Sequence, residues 1–215
     1  MKNVVLGAFV ASAILGGTAN AGTFDFQQWI ADNGEQGASN LNFTDNDLTL
    51  RASAFENNTN SYVYMDDSYN GIIGGMGVCT AINSTSKQCI DSSDDNISND
   101  GGSSEVLVWD FNQNITSMTL ELGNNDHYDF TNSSISFNDG AGWQTPTTDA
   151  NANLTFNFGN DVSRIQFTTL GEGDNNKFYI RNASITSAVP EPSTYALMIA
   201  GLGLVGFMAS RRRSQ

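Results

Sequence analysis

Two cysteines, one histidine, three tryptophans and one acidic loop are the features of this 215-residue chain whose types and spacing could do chemistry. Cys79 and Cys89 are the only thiols. Nine intervening residues match neither a Cys-x-x-Cys redox pair nor a zinc knuckle. In an exported chain an even cysteine count reads as a disulfide framework, so the pair is expected to form a structural disulfide. Just downstream runs Asp91-Ser92-Ser93-Asp94-Asp95-Asn96-Ile97-Ser98-Asn99-Asp100, then Gly101-Gly102-Ser103-Ser104-Glu105. With Asp94 as first ligand, Asn96, Ser98, Asp100 and Glu105 fall at the third, fifth, seventh and twelfth places of a calcium loop, and hard cations take oxygen ligands of this kind. Asn99 stands where such a loop has glycine, Gly101 replaces its apolar anchor, and Glu105 opens a strand rather than a helix. The candidate is therefore a structural Ca²⁺ site, set against a solvated acidic loop; no cofactor is otherwise required.

His127 lies in the polar turn Gly123-Asn124-Asn125-Asp126-His127-Tyr128-Asp129. A lone histidine flanked by acids is a surface or packing residue first and a general base second. Neither a Gly-x-Ser-x-Gly elbow nor a free Cys/His pair is present, so nucleophilic catalysis has no residues to carry it. A carboxylate pair for glycoside hydrolysis remains open, because 23 acidic residues leave that signal without specificity. Trp109 alternates with apolar residues and reads as core. Trp143, in Gly140-Ala141-Gly142-Trp143-Gln144, is the candidate for an exposed glycan contact.

The elements that must hold these residues are strands. Short alternating segments recur between Asn/Asp/Gly/Ser clusters, with no long helical period. They include Leu41–Phe43, Leu48–Leu50, Tyr62–Met65, Glu105–Phe111, Ile115–Leu122, Ile135–Phe137, Leu154–Phe158, Arg164–Leu170 and Lys177–Ile185. Their outward positions are Asn, Thr, Ser and Asp, which gives sheets with one wet face and hence antiparallel pairing. The expectation is an all-β fold, an antiparallel two-sheet β-sandwich of jelly-roll type. A short helical turn is expected near Phe26 to Asp32.

Both ends read as addresses. Lys2, an apolar run from Val4 to Leu15 and the small residues Ala19-Asn20-Ala21 form a secretory signal over 1–21, with cleavage before Gly22. At the other end Val189-Pro190-Glu191-Pro192 excludes regular structure. An apolar run from Tyr195 to Ala209 follows, then Arg211-Arg212-Arg213. The 18 residues from Ser193 to Ser210 make roughly 27 Å of helix, just long enough for a single transmembrane span with the arginines in the cytoplasm. The exported domain is then 22–188. It holds 22 acidic and 5 basic residues, near −17. That charge excludes nucleic acid as a partner, because phosphates need Lys and Arg.

The VPEPST motif, the short Gly-rich apolar helix and the terminal Arg cluster over 189–215 resemble the PEP-CTERM sorting signal of Gram-negative bacteria. The resemblance implies Sec-type export and transit through the inner membrane. It also implies recognition of Pro190, Glu191 and Pro192 by an exosortase-type protease, and a destination at the cell surface or beyond it in an exopolysaccharide or biofilm matrix. Gly77-Val78-Cys79, Asp94-Asp95-Asn96, Gly101 to Leu107 and Asp126-His127 are similar to the β-sandwich cargo domains that travel with this signal. The expectation is a non-catalytic structural or glycan-binding matrix protein; the alternative is a secreted glycan-active enzyme using a carboxylate pair.

Overall fold

The computed structural model describes residues 20–69, 71–91, 95–99, 104–131, 134–169, 171, 173, 176–188, 198–205 and 208. The chain divides into two units, Asn20–Ala188 and the two ends, Met1–Ala19 with Val189–Gln215. The first unit runs β1 (Ala21–Asp25), α1 (Phe26–Asn33), β2 (Gln36–Ala38), β3 (Asn40–Asp45), β4 (Leu48–Glu56), β5 (Thr59–Tyr69) and β6 (Ile72–Cys79), then β7 (Glu105–Asn124), β8 (Ser136–Asn138), β9 (Trp143–Gln144), β10 (Asn153–Thr168) and β11 (Phe178–Ser187).

The all-β, antiparallel expectation holds, but the strands form one hydrogen-bonded network rather than two separate sheets. Its order is β1-β11-β6-β5-β4-β7-β10-β8-β9, with β2 beside β5 and β3 beside β4. A further pairing of β11 with β7 closes β7, β4, β5, β6 and β11 into a ring. The cause is the length of β7. Its first half pairs with β4, from Leu50 opposite Phe111 to Glu56 opposite Glu105. Its second half pairs with β11, from Ser187 opposite Ile115 to Phe178 opposite Asn124.

The sequence reading broke β7 at Asn112-Gln113-Asn114, a polar triplet that resembles a turn. The strand passes straight through it. Asn112 and Gln113 turn their amides to the carbonyl of Asp47, at 2.9 and 2.6 Å, and Asn112 Oδ1 accepts the Thr49 N–H at 2.7 Å. These side chains clip β7 to the turn between β3 and β4. Likewise, β10 continues across Gly159-Asn160-Asp161, with its register against β7 shifting between Asn157 and Val162. Such a bulge bends a strand without ending it.

Alternation decides the core. Leu107, Trp109, Ile115, Met118, Leu120 and Leu122 of β7 are buried, as are Ile165 and Phe167 of β10. Trp109 is fully covered, with Phe167 edge-on at 5.0 Å and Phe26 at 5.7 Å. Phe26 arrives on the one expected helix. Asp25 caps α1 by accepting the Gln28 N–H at 2.8 Å, and Gly34, at φ 76°, ends it with its N–H on the Ile30 carbonyl at 2.7 Å. Strand β6 escaped the sequence reading because Gly74, Gly75 and Gly77 interrupt any apolar pattern. A Cβ on Gly75 would stand 2.6 Å from the Ile180 carbonyl oxygen, and φ there is 134°. The glycines are what let neighbouring backbone approach.

Cys79 and Cys89 are disulfide-bonded, with Cα atoms 6.0 Å apart. The loop they close docks on β2, where the Gly37 N–H meets the Lys87 carbonyl at 2.8 Å. In the second unit, residues 198–205 are helical and every side chain along them is exposed. No helix among the described residues is long and apolar enough to cross a membrane; Tyr195, Ala209 and Arg211 to Arg213 lie outside them, as does the secretory signal through Ala19.

Replacing both cysteines by alanine should lower the free energy of unfolding by about 2–3 kcal/mol, the entropy released by opening a loop of this size. Urea denaturation of the oxidised protein and the double variant measures it.

Candidate functional site

The polar residues singled out in the sequence fall into two places, one inside the fold and one on a hairpin. The inner group centres on His127. The turn that carries it is fixed by Asn124, whose Oδ1 accepts the N–H groups of Asp126 and Tyr128 at 3.0 and 2.9 Å. His127 itself takes a left-handed φ of 63°, a conformation costly for most residues. The result is to aim the imidazole inward, where it is 5% exposed. Its Nε2 lies 2.6 Å from Asp66 Oδ2 and its Nδ1 lies 2.8 Å from the Ile72 carbonyl oxygen. Both partners only accept, so the protonated imidazolium, a donor at both nitrogens, satisfies them together.

Around this pair the fold stacks further polar groups. Tyr179 meets the imidazole edge-on at 5.1 Å and donates its hydroxyl to Asp95 Oδ1 at 2.6 Å. Arg181, 4% exposed, donates Nη1 to Asp129 Oδ1 at 2.8 Å and Nη2 to the His127 carbonyl. The absence of a side chain at Gly123 makes room, since a Cβ there would stand 2.6 Å from Arg181 Nε. With Asp66 7% exposed and both ring nitrogens of His127 bonded, the pair locks the 124–130 turn onto β5 and β6.

This group shifts its own titration. Burial raises the Asp95 carboxyl to about 7, with the Asp66 charge adding to the effect. Burial alone would lower His127, but the bonds to Asp66 and the Ile72 carbonyl outweigh it and hold the imidazole above its ordinary value of 6.5. Burial also pushes the Tyr179 phenol upward.

The acidic loop is not wholly a surface loop. Asn96 and Ile97 are fully covered and Ser98 is buried. Ile97 pairs with Phe178 of β11, and the Asn96 carbonyl accepts the Val78 N–H at 3.3 Å. The segment thus fills the gap between β6 and β11, which otherwise touch in register only at Met76 opposite Ile180. Among the expected calcium ligands, Glu105 turns Oε2 to the N–H and hydroxyl of Ser98, at 2.7 and 2.8 Å. Asn96 gives its amide to Asn125 Oδ1 at 2.9 Å. Asp94 and Asp100 lie outside the described residues. Among the described residues no group of three or more His, Cys, Asp or Glu side chains is placed to hold a metal.

The outer place is the hairpin β8–β9. Asn138 Oδ1 accepts the N–H groups of Gly140 and Gly142, at 2.8 and 3.2 Å, and Asp139 Oδ1 accepts that of Ala141 at 3.0 Å. The loop is held by its own side chains, and Gly140 and Gly142 supply the positive φ it requires. On it Trp143 is 50% exposed. Cross-strand pairs fix which side each residue takes: Trp143 is opposite Asn138, and Gln144 is opposite Phe137. Adjacent pairs face opposite sides of a ribbon. Each side has a shallow depression, one of about 360 Å³ lined by Asn138, Arg164 and Gln166, the other of about 320 Å³ lined by Gln144, Asn157 and Phe158. Asp139 borders both.

At the signal junction, Ala21 and Gly22 are strand residues, opposite Thr186 and Ile185. Asn20 bonds through its carbonyl to the Ser187 N–H at 2.8 Å, so the two ends of this unit leave it side by side. Beyond Ala188, residues 188–213 match the PEP-CTERM protein-sorting motif. The chain carries a PEP-CTERM sorting signal. A PEP-CTERM signal implies export, transit through the membrane and processing by an exosortase. The match falls on the residues the sequence reading chose, Val189 to Pro192 and the helix and arginines after them. No curated protein and no solved structure matches the chain.

Two outcomes test the inner group. Asp95 and His127 both hold protons more tightly folded than unfolded, so stability should fall as pH rises. Asp95 contributes across about pH 4 to 7 and His127 above about pH 6.5, with a limiting slope near 1.4 kcal/mol per pH unit for each proton. Denaturation midpoints should be higher at pH 5 than at pH 8, and Asp95→Asn should flatten the acid side of that curve. Gly77→Ala should cost about 1–3 kcal/mol, because its Cβ would meet the Asp95 carbonyl oxygen in a backbone that cannot yield cheaply.

Proposed function

We propose that this PEP-CTERM cargo is a non-catalytic protein of the extracellular surface or matrix whose strand-rich domain binds glycan. Export by Sec-type machinery and release or retention by an exosortase bring it to an exopolysaccharide or biofilm setting. The observation that carries the reading is Trp143, half exposed on a loop that its own hydrogen bonds hold rigid. A flat indole in a fixed position offers the apolar face of a sugar ring a large contact at little conformational cost. Beside it Asn138 keeps its amide N–H₂ without a partner among the described residues, and Gln166 borders the same depression.

What supports the non-catalytic side is the carboxylate count. Glycosidases need two carboxyl groups about 5–9.5 Å apart across a sugar. Of the described residues lining these two depressions, Asp139 is the one carboxylate. The jelly-roll description belongs to the same proposal: the ring of strands would be two layers joined by the bend of β7 and β10.

In affinity electrophoresis through neutral polysaccharide, the mature protein should be retarded and Trp143→Ala should migrate freely, with an unchanged melting temperature. Equal retardation of both would remove the indole from the account. Intact-mass measurement of the protein from cells with and without exosortase should show loss of the segment beyond Val189 only where the protease is present.

A further inference from the structure

The depression on the other side of the hairpin has its own sugar-like chemistry. Phe158 is half-buried there and lies parallel to Phe156, 3° between planes with centroids at 6.0 Å, while Phe137 closes edge-on against Phe156 at 4.3 Å. Gln144 and Asn157 also line this depression, Gln144 on the face of Phe137 and Asn157 on the face of β10 opposite Phe156 and Phe158. Gln144 touches Asp139 only at 3.5 Å through either oxygen, too far to engage it firmly. Asn157 is exposed and has no side-chain partner among the described residues. Along the same depression β10 pairs with β7 over Asn153–Asn157, and its other edge has no strand partner among the described residues. An open edge adds backbone donors and acceptors.

Charge narrows the ligand. The domain is near −17. Of its five basic residues, Lys177 and Arg181 are buried, and Arg164 is held by Asp110 at 2.6 and 3.1 Å. Arg164 nevertheless stays 63% exposed and lines the first depression, whereas the exposed Arg51 and Lys87 border neither of the two. An anionic polymer would meet repulsion with one arginine, already paired to Asp110, to offset it. We propose that the second depression is a further sugar subsite, and that the ligand is an uncharged polysaccharide whose chain passes around the hairpin at Asp139, one ring against Trp143 and another against Phe158. This rests on the glycan-binding reading above. Two weak subsites on one rigid ribbon gain through linkage, so affinity should depend on chain length.

The experiment is calorimetric titration of the mature protein with neutral glucans, mannans and galactans of increasing length, and with alginate as the anionic polymer. Wild type should bind at least one neutral series with affinity rising about tenfold or more from disaccharide to hexasaccharide. Trp143→Ala and the double variant Gln144→Ala/Asn157→Ala should each erase that rise; all three residues are exposed or nearly so, and melting temperatures report whether the fold is kept. If the double variant keeps full affinity for the hexasaccharide while Trp143→Ala loses it, the second subsite is wrong and the glycan-binding reading stands. Failure of every neutral polymer to bind wild type overturns both, and tighter binding of alginate overturns the ligand class.

Discussion

Both edges of β7 are hydrogen bonded, and most of the architecture is a consequence of that ladder. A buried strand cannot leave its N–H and C=O groups without partners. β10 follows β7 along one edge, and at 20 residues β7 is long enough for β4 and β11 to share the other. Once β4 and β11 are both committed to β7, β5 and β6 must bridge between them, and the ring closes. Trp109, in the first half of β7, meets Phe26 of α1 and Phe167 of β10, and the aromatic cluster forms around it.

The weak point of that ring is the meeting of β6 and β11. There the fold uses polar groups instead of a regular ladder. Segment 95–98 enters between the two strands, Gly77 of β6 accepts its backbone, and Asp66, Asp95, His127, Tyr179 and Arg181 interlock over the seam. Buried polar groups are tolerated where their partners are supplied together, and removing one member leaves the others unpaired. The cluster thus behaves as a fastening for a join that apolar packing alone does not complete.

The hairpin has the opposite character. It is short, held by Asx-type bonds at Asn138 and Asp139, and presents side chains outward on two faces. Rigid presentation on a scaffold is what makes a surface aromatic useful for binding, because little freedom is lost when a ligand arrives. The acidity of the domain keeps such an exported surface soluble and sets the sign of what it can approach. The sorting signal follows the end of β11, which lies beside β1.

Much of this was legible in the linear chain, for reasons that are local. Alternation marked Leu107, Trp109, Leu120, Phe156 and Ile180 as core, because a strand's two faces are set by residue parity alone. The Cys79–Cys89 disulfide, the short helix near Phe26 and the sorting signal from Val189 depend on short spacing and are legible in it. What the chain could not announce depended on distant partners. Asn112 and Gln113 spell a turn until the Asp47 carbonyl is there to receive them, and Gly74, Gly75 and Gly77 spell a loop until Asp66, Ile180 and Asp95 crowd against them. One oxygen of Glu105 is engaged by Ser98, and His127 looks solvated until Asp66 and the Ile72 carbonyl close on its ring. Sequence by itself determined the strand-rich, exported, anionic character, because periodicity, charge and targeting signals are properties of neighbouring residues. Tertiary structure alone decided that the strands close into one ring and that the acidic loop and the histidine turn go inside, because a buried polar group is permitted only by partners far away in the chain.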